Sequence, residues 1–121
     1  MVKKGAGVVS EIDLVDEIWG ERPALSKEPV TLLAEKYAGE SRESKIKRVR
    51  AVMEEKGADT FVLTSLDDIA WLLNIRGNDV AYNPVVLSYL LLGKKEIRLY
   101  LNESVLGTKE KEELDEAGIS F

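Results

Sequence analysis

The chain has 121 residues, of which 45% are hydrophobic and 32% charged, and its net charge is −5. This length and composition are typical of one globular domain that buries its own core. The acidic balance argues against nucleic acid as a partner, and the absence of His and Cys from the sequence excludes Ser-His-Asp and Cys-His nucleophile systems and ordinary zinc sites.

The sequence carries no recognisable membrane or secretion signal. Spanning a bilayer takes roughly 20 apolar residues, and the most apolar stretch, residues 85–92, is far shorter. The first residues combine lysines with acidic side chains and lack the apolar region of a signal peptide. We therefore expect a cytoplasmic protein with no membrane partner.

Residues 1–29 are predicted to form an N-terminal helix followed by an interdomain linker. In "SEIDLVDEIW", Ser10 is placed to cap a helix whose apolar residues, Ile12, Val15, Ile18 and Trp19, repeat at helical spacing. The following residues 20–29 contain one Gly and two Pro and are expected to be extended. Residues 30–41 are ambiguous between a short strand and a turn.

Residues 30–121 are predicted to form an α/β domain. A helix is expected from Ser41 to a C-cap at Gly57, with Ile46, Val49 and Met53 facing the core and the basic cluster at residues 42–50 as a solvated face. Residues 59–65 have the composition of a buried strand.

A second core-facing helix is expected to follow directly. Ser65 is placed as its N-cap, with Ile69, Leu72 and Leu73 facing inward. Asp67 and Asp68 lie at its start, where acidic side chains interact favourably with the helix dipole.

The last part of the chain predicts a hairpin, a helix and a strand. Residues 85–92 are nearly all apolar, as in a central strand buried on both faces, and residues 97–102 alternate after the tight connection "GKKE". A helix capped by Thr108 and stopped by Gly118 follows, and "ISF" begins another strand. Because that strand is barely started, we expect the domain to be truncated at its C-terminus.

The polar connector, residues 74–84 ("NIRGNDVAYNP"), joins two apolar elements and contains Arg76, Asn78, Asp79 and Asn83. Arg76 could bind a carboxylate in bidentate fashion, or it could pair with Asp79 or donate to helix carbonyls and so hold the loop. Asn and Asp are also ordinary turn formers. Asp67, Asp68 and Asp79 are candidates for a carboxylate metal site, although the helix dipole explains the first two better. Trp19 and Trp71 are expected to be core or interface anchors.

At this connector the sequence resembles the cytosolic, three-domain type of Xaa-Pro aminopeptidase, also called aminopeptidase P. That family has the pattern T-x-L-D-[ED]-I-A-W-L-x-N-x-R-G-x-D-x-x-x-N-P-x-x-x-S-Y. Residues 13–23, "DLVDEIWGERP", also resemble the stretch that precedes the family's second domain, so that the resemblance extends from about residue 13 to residue 102. The positions that match the long pattern are Thr64, Leu66, Asp67, Asp68, Ile69, Ala70, Trp71, Leu72, Asn74, Arg76, Gly77, Asp79, Asn83, Pro84, Ser88 and Tyr89.

The resemblance implies the second, middle domain of a larger metallopeptidase. Such a domain is of the creatinase/prolidase N-terminal type, with a mixed sheet flanked by helices and a ribonuclease H-like motif. The family's C-terminal "pita-bread" domain binds a dinuclear metal centre, usually manganese, through two Asp, one His and two Glu, and removes the first residue of peptides with proline second. Since this chain has no His, no catalytic or metal residue is carried over to it, and no cofactor is expected in it.

The resemblance also implies partners and a role for the connector. The expected partners are the catalytic domain of the same polypeptide, a second copy in a homodimer, and a peptide substrate with proline in second position. The N-terminal-type domains of the superfamily help to form the dimer and restrict the active-site mouth to short peptides. The connector would face that mouth, with Arg76, Asn78, Asp79 and Asn83 near the substrate.

Two other classes of function stay open at this point. One is a free-standing α/β binding or interaction module without peptidase activity. The other is a small enzyme that uses Asp67, Asp68 and Asp79 with a metal, which is disfavoured because Asp alone rarely supplies such a site.

Overall fold

The structure, a computed structural model, describes Gly7, Val9 and residues 11–121. Ser10, the predicted cap of the first helix, lies outside these residues, and the side chain of Asp13 caps that helix by accepting from the Val15 amide at 2.9 Å.

The described helices are α1 Leu14–Ile18, α2 Glu35–Ala38, α3 Arg42–Glu55, α4 Leu66–Leu73 and α5 Thr108–Glu116, with a 3-10 helix at Glu103–Val105. The strands are β1 Thr31–Leu32, β2 Thr60–Leu63, β3 Ile75–Arg76, β4 Ser88–Gly93, β5 Ile97–Leu101 and β6 Ile119–Ser120.

The main sheet has four strands in the order β2-β4-β5-β6. The first two pairings are antiparallel, with Val62 opposite Leu91 and Tyr89 opposite Tyr100, whereas β5 and β6 are parallel. A separate two-stranded pair, β1 and β3, places Thr31 opposite Arg76. The predicted hairpin and the strand at "ISF" are therefore confirmed, and the sheet is mixed, as the α/β interpretation requires.

The core lies between one face of the main sheet and the helices. Alternate strand residues supply the sheet's part of this core, because successive side chains of a strand point to opposite faces. Ser65 accepts from the Asp68 amide and so begins α4, which then buries Ile69, Leu72 and Leu73 as predicted. The remaining core side chains include Ile46, Met53, Leu63, Leu90, Leu92, Ile97, Leu99, Leu114 and Ile119.

The other face of the sheet is exposed, and two predictions about it are wrong. Residues 59–65 were expected to form a buried strand, but β2 is an edge strand on which Val62 is exposed on the outer face, and even Phe61, on the inner face opposite Leu92, is 44% exposed. β4 is central, yet it is not buried on both faces, since Tyr89 is 62% exposed. The described helices cover only the inner face, so the apolar composition of the outer face is not explained by packing within this domain.

Two helix ends lie where the sequence predicts them, and the start of α5 does not. Gly57 and Gly118 have φ of 66° and 77°, a left-handed conformation in which glycine ends a helix at little cost. Thr108 was predicted to cap α5, but it is the first helical residue and Gly107 occupies the cap position. Two extended residues, Leu106 and Gly107, separate the 3-10 helix from α5, and the Gly107 carbonyl accepts from the Lys111 amide.

Among the residues that the structure describes, no helix is long and apolar enough to cross a membrane.

Candidate functional site

The polar connector begins where α4 ends. Asn74 ends the helix in the left-handed region, with φ of 55°, and the chain then pairs as β3 with β1. The Asn74 side chain is bonded on both sides, because its Oδ1 accepts from Lys45 Nζ at 2.6 Å and its Nδ2 donates to the Glu40 carbonyl at 3.0 Å. The start of the connector is thus fixed by contacts to α3 and to the residue before the α3 cap.

Arg76 holds the end of α4 by donating to backbone carbonyls. Its Nη1 lies 2.9 Å from the Ala70 carbonyl oxygen and 2.8 Å from that of Ile75. The carbonyls at a helix C-terminus lack partners within the helix and carry partial negative charge, so a cation there is favourable. Of the alternatives left open by the sequence, the bond to helix carbonyls is found, and no ion pair to Asp79 occurs among the described residues.

A second cation, Lys45 on α3, reaches the same helix end. Its side chain is 2% exposed, and its Nζ donates to the Trp71 carbonyl at 2.8 Å as well as to Asn74. Burial lowers the pKa of Lys45, with Glu40 opposing and Arg76 and Arg48 reinforcing that shift. The interpretation of the basic cluster as a solvated face is therefore wrong for Lys45, and also for Arg42, which is buried against α5.

The spacing along α3 contained a signal for this burial. Lys45 precedes Val49 and Met53 by four and eight residues, so it falls on the same helical stripe as those core residues. A charged residue on such a stripe needs polar partners inside the protein, and the Trp71 carbonyl at the end of α4 and the Asn74 side chain supply them.

Trp71 lies beside these cations without being part of the core. It is 46% exposed, and its ring centroid is 4.8 Å from Lys45 Nζ and 5.6 Å from Arg48 Cζ. These distances are typical of cation–π interactions. Arg48 is itself bonded to Glu40 at 2.8 Å. Of the two roles expected for Trp71, a core position is excluded and a position on an accessible surface remains.

Asp79 and Gly77 fold the connector back on itself. Asp79 Oδ2 accepts from the Leu87 amide at 2.7 Å, while its Oδ1 is buried and has no partner among the described residues. The Gly77 amide donates to the Pro84 carbonyl at 3.3 Å. A Cβ at Gly77 would lie 2.6 Å from Val86 Cγ2 and 2.9 Å from the Val85 carbonyl oxygen, so only glycine fits without displacement.

The predicted site residues do not all meet. Arg76 and Asn83 line one small cavity of about 160 Å³, together with Asp67, Ala70, Trp71, Pro84 and Val85. Asn83 Nδ2 donates to Asp67 Oδ1 at 3.2 Å, which ties the end of the connector to the start of α4. Asn78 is exposed and Asp79 points into the loop, so neither lines this cavity.

The acidic residues do not form a metal centre. Within the described part of the chain, no group of three or more His, Cys, Asp or Glu could hold a metal ion. Asp67 and Asp68 lie in the first turn of α4, as the dipole interpretation predicts, and the two oxygens of Asp79 lie inside the connector. The residues that the structure describes therefore do not fit a dinuclear metal centre.

The fold and the connector together define the class of protein. It is an α/β domain with a mixed sheet, in which hydrogen bonds hold a polar loop in place. The chain belongs to the creatinase/prolidase N-terminal domain family, whose model matches residues 21–121.

Whole proteins similar to this chain carry the name of an aminopeptidase. "Probable Xaa-Pro aminopeptidase P" of Sordaria macrospora is 47% identical over 115 residues, covering 94% of this chain and 19% of that protein. The protein of the same name from Chaetomium globosum is 44% identical over 120 residues, covering 97% of this chain and 19% of that protein. The chain thus spans about a fifth of the length of the curated relatives it matches.

A solved structure agrees with the fold. The crystal structure of X-prolyl aminopeptidase from Caenorhabditis elegans, described as a cytosolic enzyme with a di-nuclear active site, superposes with a TM-score of 0.83 at 37% identity. The match covers 93% of this chain and 18% of that one. The predicted resemblance to aminopeptidase P and the predicted α/β fold are confirmed.

Proposed function

We propose that this chain is a non-catalytic domain of a metal-dependent Xaa-Pro aminopeptidase, contributing to dimer assembly and to the gating of short peptides at an active site on a separate C-terminal domain. The observation that carries the proposal is the match of one N-terminal-type domain to about a fifth of each aminopeptidase relative. In this proposal residues 30–121 form the domain proper, residues 1–29 link it to what precedes it, and the protein is cytoplasmic.

The residue types present in the chain favour a non-catalytic role. It has no His or Cys for nucleophilic catalysis, and its described acidic residues are not gathered into a metal site. The dinuclear metal, expected to be manganese, then belongs to the catalytic domain, as does the cleavage of peptides with proline second. The Caenorhabditis elegans enzyme has a di-nuclear active site, and this chain covers 18% of it.

The connector is proposed to act at the mouth of that active site. Arg76 uses Nη1 to hold α4, and no hydrogen bond from its Nη2 or Nε to another described residue is found. Guanidinium N–H groups left without a partner in this way can donate to a peptide carboxylate. Asn83 shares the cavity with Arg76, Asp79 holds the shape of the loop through the Leu87 amide, and Asn78 is exposed beside them, where a peptide could reach it.

The test of gating uses the complete polypeptide that the gene encodes, with Arg76→Ala and the control Lys47→Ala. Lys47 is an exposed cation on α3, away from both the connector and the outer sheet face. A lost hydrogen bond to a charged group costs about 1.5–3 kcal/mol, so we expect KM for Xaa-Pro peptides to rise about tenfold or more in Arg76→Ala only. If both variants have the same KM and kcat as the unchanged polypeptide, Arg76 holds the loop but does not contact the peptide.

The accessory role has its own test. With added manganese, the 121-residue chain should not cleave Xaa-Pro peptides, whereas the complete polypeptide should. Turnover by the short chain that Asp68→Asn abolishes would contradict the proposal in favour of a small enzyme. A reading frame that ends at Phe121 would instead favour a free-standing interaction module.

Dimer assembly is supported by the apolar surface outside the core. Val62, Tyr89 and Tyr100 are exposed on the outer sheet face, and Ile18 and Trp19 are exposed at α1. Contiguous exposed apolar surface marks protein contacts. Sedimentation equilibrium of the complete polypeptide should give the mass of a dimer, and a monomer at micromolar concentration would contradict this part of the proposal.

A further inference from the structure

Tyr82, in the middle of the connector, has an unusual backbone and an unusual exposure. Two described non-glycine residues have positive φ, Asn74 and Tyr82. Asn74 gains from its conformation because it ends α4 and bonds to Lys45 and Glu40. Tyr82, at φ 64°, has no such benefit, since its side chain is fully exposed.

The turn that carries Tyr82 is held firmly. Val80 and Asn83 form an antiparallel bridge across it, and the Asn83 amide donates to the Val80 carbonyl at 3.1 Å. On either side, Asn83 is bonded to Asp67, and Asp79 is bonded to the Leu87 amide. The turn therefore presents the tyrosine ring at the tip of a braced loop.

This combination is costly for the domain by itself. The left-handed region is disfavoured for residues with a Cβ, and a bulky side chain there is an outlier. Strain of this kind persists at positions that serve a contact or a mechanism. A tyrosine on a braced turn has only two side-chain torsions to fix on binding, and tyrosine is among the residue types that dominate protein interfaces.

We propose that Tyr82 docks on the C-terminal catalytic domain of the same polypeptide, its ring filling an apolar recess and its hydroxyl meeting a hydrogen-bond acceptor there. This rests on the proposed function, in which the connector faces that domain. The aminopeptidase relatives are about five times as long as this chain. In the proposed function, the complete polypeptide therefore contains the catalytic domain that Tyr82 would contact. Tyr82 lies between Asp79 and Asn83 in the same loop and protrudes where they are tied back.

Hydroxyl-radical footprinting of the complete polypeptide tests this directly. Oxidation of Tyr82 is followed by mass spectrometry without peptide, with a proline-containing product peptide, and in the unfolded polypeptide as the reference. Docking predicts that Tyr82 is oxidised at least fivefold more slowly in the folded polypeptide than in the unfolded one, without peptide and independently of protein concentration.

Each other outcome overturns the proposal. Oxidation close to the unfolded rate means that the ring is free, protection that needs the peptide means that it contacts substrate, and protection lost on dilution means that a second copy covers it. Xaa-Pro hydrolysis by the same preparation is measured separately. An active enzyme with unprotected Tyr82 contradicts only this inference, whereas an inactive, folded, metal-loaded polypeptide contradicts the proposed function.

Discussion

At the scale of single residues, the C-terminal end of α4 is organised by two cations from different elements. Lys45 reaches it from α3 and Arg76 reaches back from β3, and each donates to a carbonyl of the last helical turn. These bonds satisfy groups that the helix leaves without partners. They also fix the direction in which the connector leaves the helix, so the shape of the candidate site depends on them.

Lys45→Met should destabilise the protein although it removes a buried charge. Methionine keeps the aliphatic stem but leaves the Trp71 carbonyl and Asn74 Oδ1 without the Lys45 donor. A buried acceptor without a partner costs about 1–3 kcal/mol, which we expect as the loss in the free energy of unfolding measured in urea. Lys47→Met, at an exposed position of α3, is the control and should change the free energy of unfolding little. Equal effects of the two substitutions would mean that the bonds of Lys45 do not stabilise the helix end.

The same lysine should make stability depend on pH in the alkaline range. Burial lowers the pKa of Lys45 below the ordinary lysine value, so the unfolded chain binds the proton more tightly than the folded one. The free energy of unfolding therefore rises with pH between the folded and the unfolded pKa. The difference between wild type and Lys45→Met should increase as the pH rises toward the ordinary lysine pKa of about 10.4 in urea titrations. A constant or decreasing difference would contradict the direction of the shift.

At the scale of elements, the connector is a compact loop whose two limbs touch. Gly77 makes this approach possible, since a Cβ there would meet Val86 and the Val85 carbonyl. Gly77→Ala should therefore reduce the free energy of unfolding by about 1–3 kcal/mol through overpacking. Gly20→Ala is the matched control, because a Cβ at Gly20 meets nothing within 4 Å. The denaturation midpoints of the two variants are compared in urea. Similar midpoints would mean that the two limbs of the connector move apart at little cost when a Cβ is added at Gly77.

The elements themselves were largely predictable, because their signals are local. The Ser65 cap and the spacing of Ile69, Leu72 and Leu73 identified α4, and the turn "GKKE" identified the hairpin. Burial of whole strand faces was not predictable. Tyr89 and Val62 look like core residues because apolar composition does not reveal whether a face is covered inside the domain or outside it.

The candidate site was predictable as a segment but not as an arrangement. The family pattern located Arg76 and Asn83, which share a cavity, and left open whether Arg76 binds carbonyls or a carboxylate. Lys45 was missed because a lysine in a basic run usually lies in solvent. Its partners, the Trp71 carbonyl and Asn74, lie 26 and 29 residues further along the chain, so only the tertiary structure brings them together.

At the scale of the whole molecule, Arg42 and Glu113 join α3 to α5 across 71 residues of sequence. Their side chains meet at 3.0 Å, with the Arg42 side chain 9% and the Glu113 side chain 48% exposed. Water reaches one partner only, so the pair should be stronger than a surface ion pair and weaker than a fully buried one. A double-mutant cycle with Arg42→Ala and Glu113→Ala should give a coupling free energy of about 1–2 kcal/mol, since the cycle cancels the separate packing losses.

The control cycle uses Lys111 and Glu103, an ion pair in which neither partner is buried, since their side chains are 44% and 62% exposed. Their coupling should be much smaller and should disappear in high salt, because screening acts fully on exposed charges. Coupling of Arg42 and Glu113 should persist in the same salt. If instead both cycles give equal and salt-sensitive values, the burial of Arg42 does not strengthen its bond to α5, and the packing of Leu114 and Ile119 together with the pairing of β6 to β5 holds the C-terminal helix and strand to the rest of the domain.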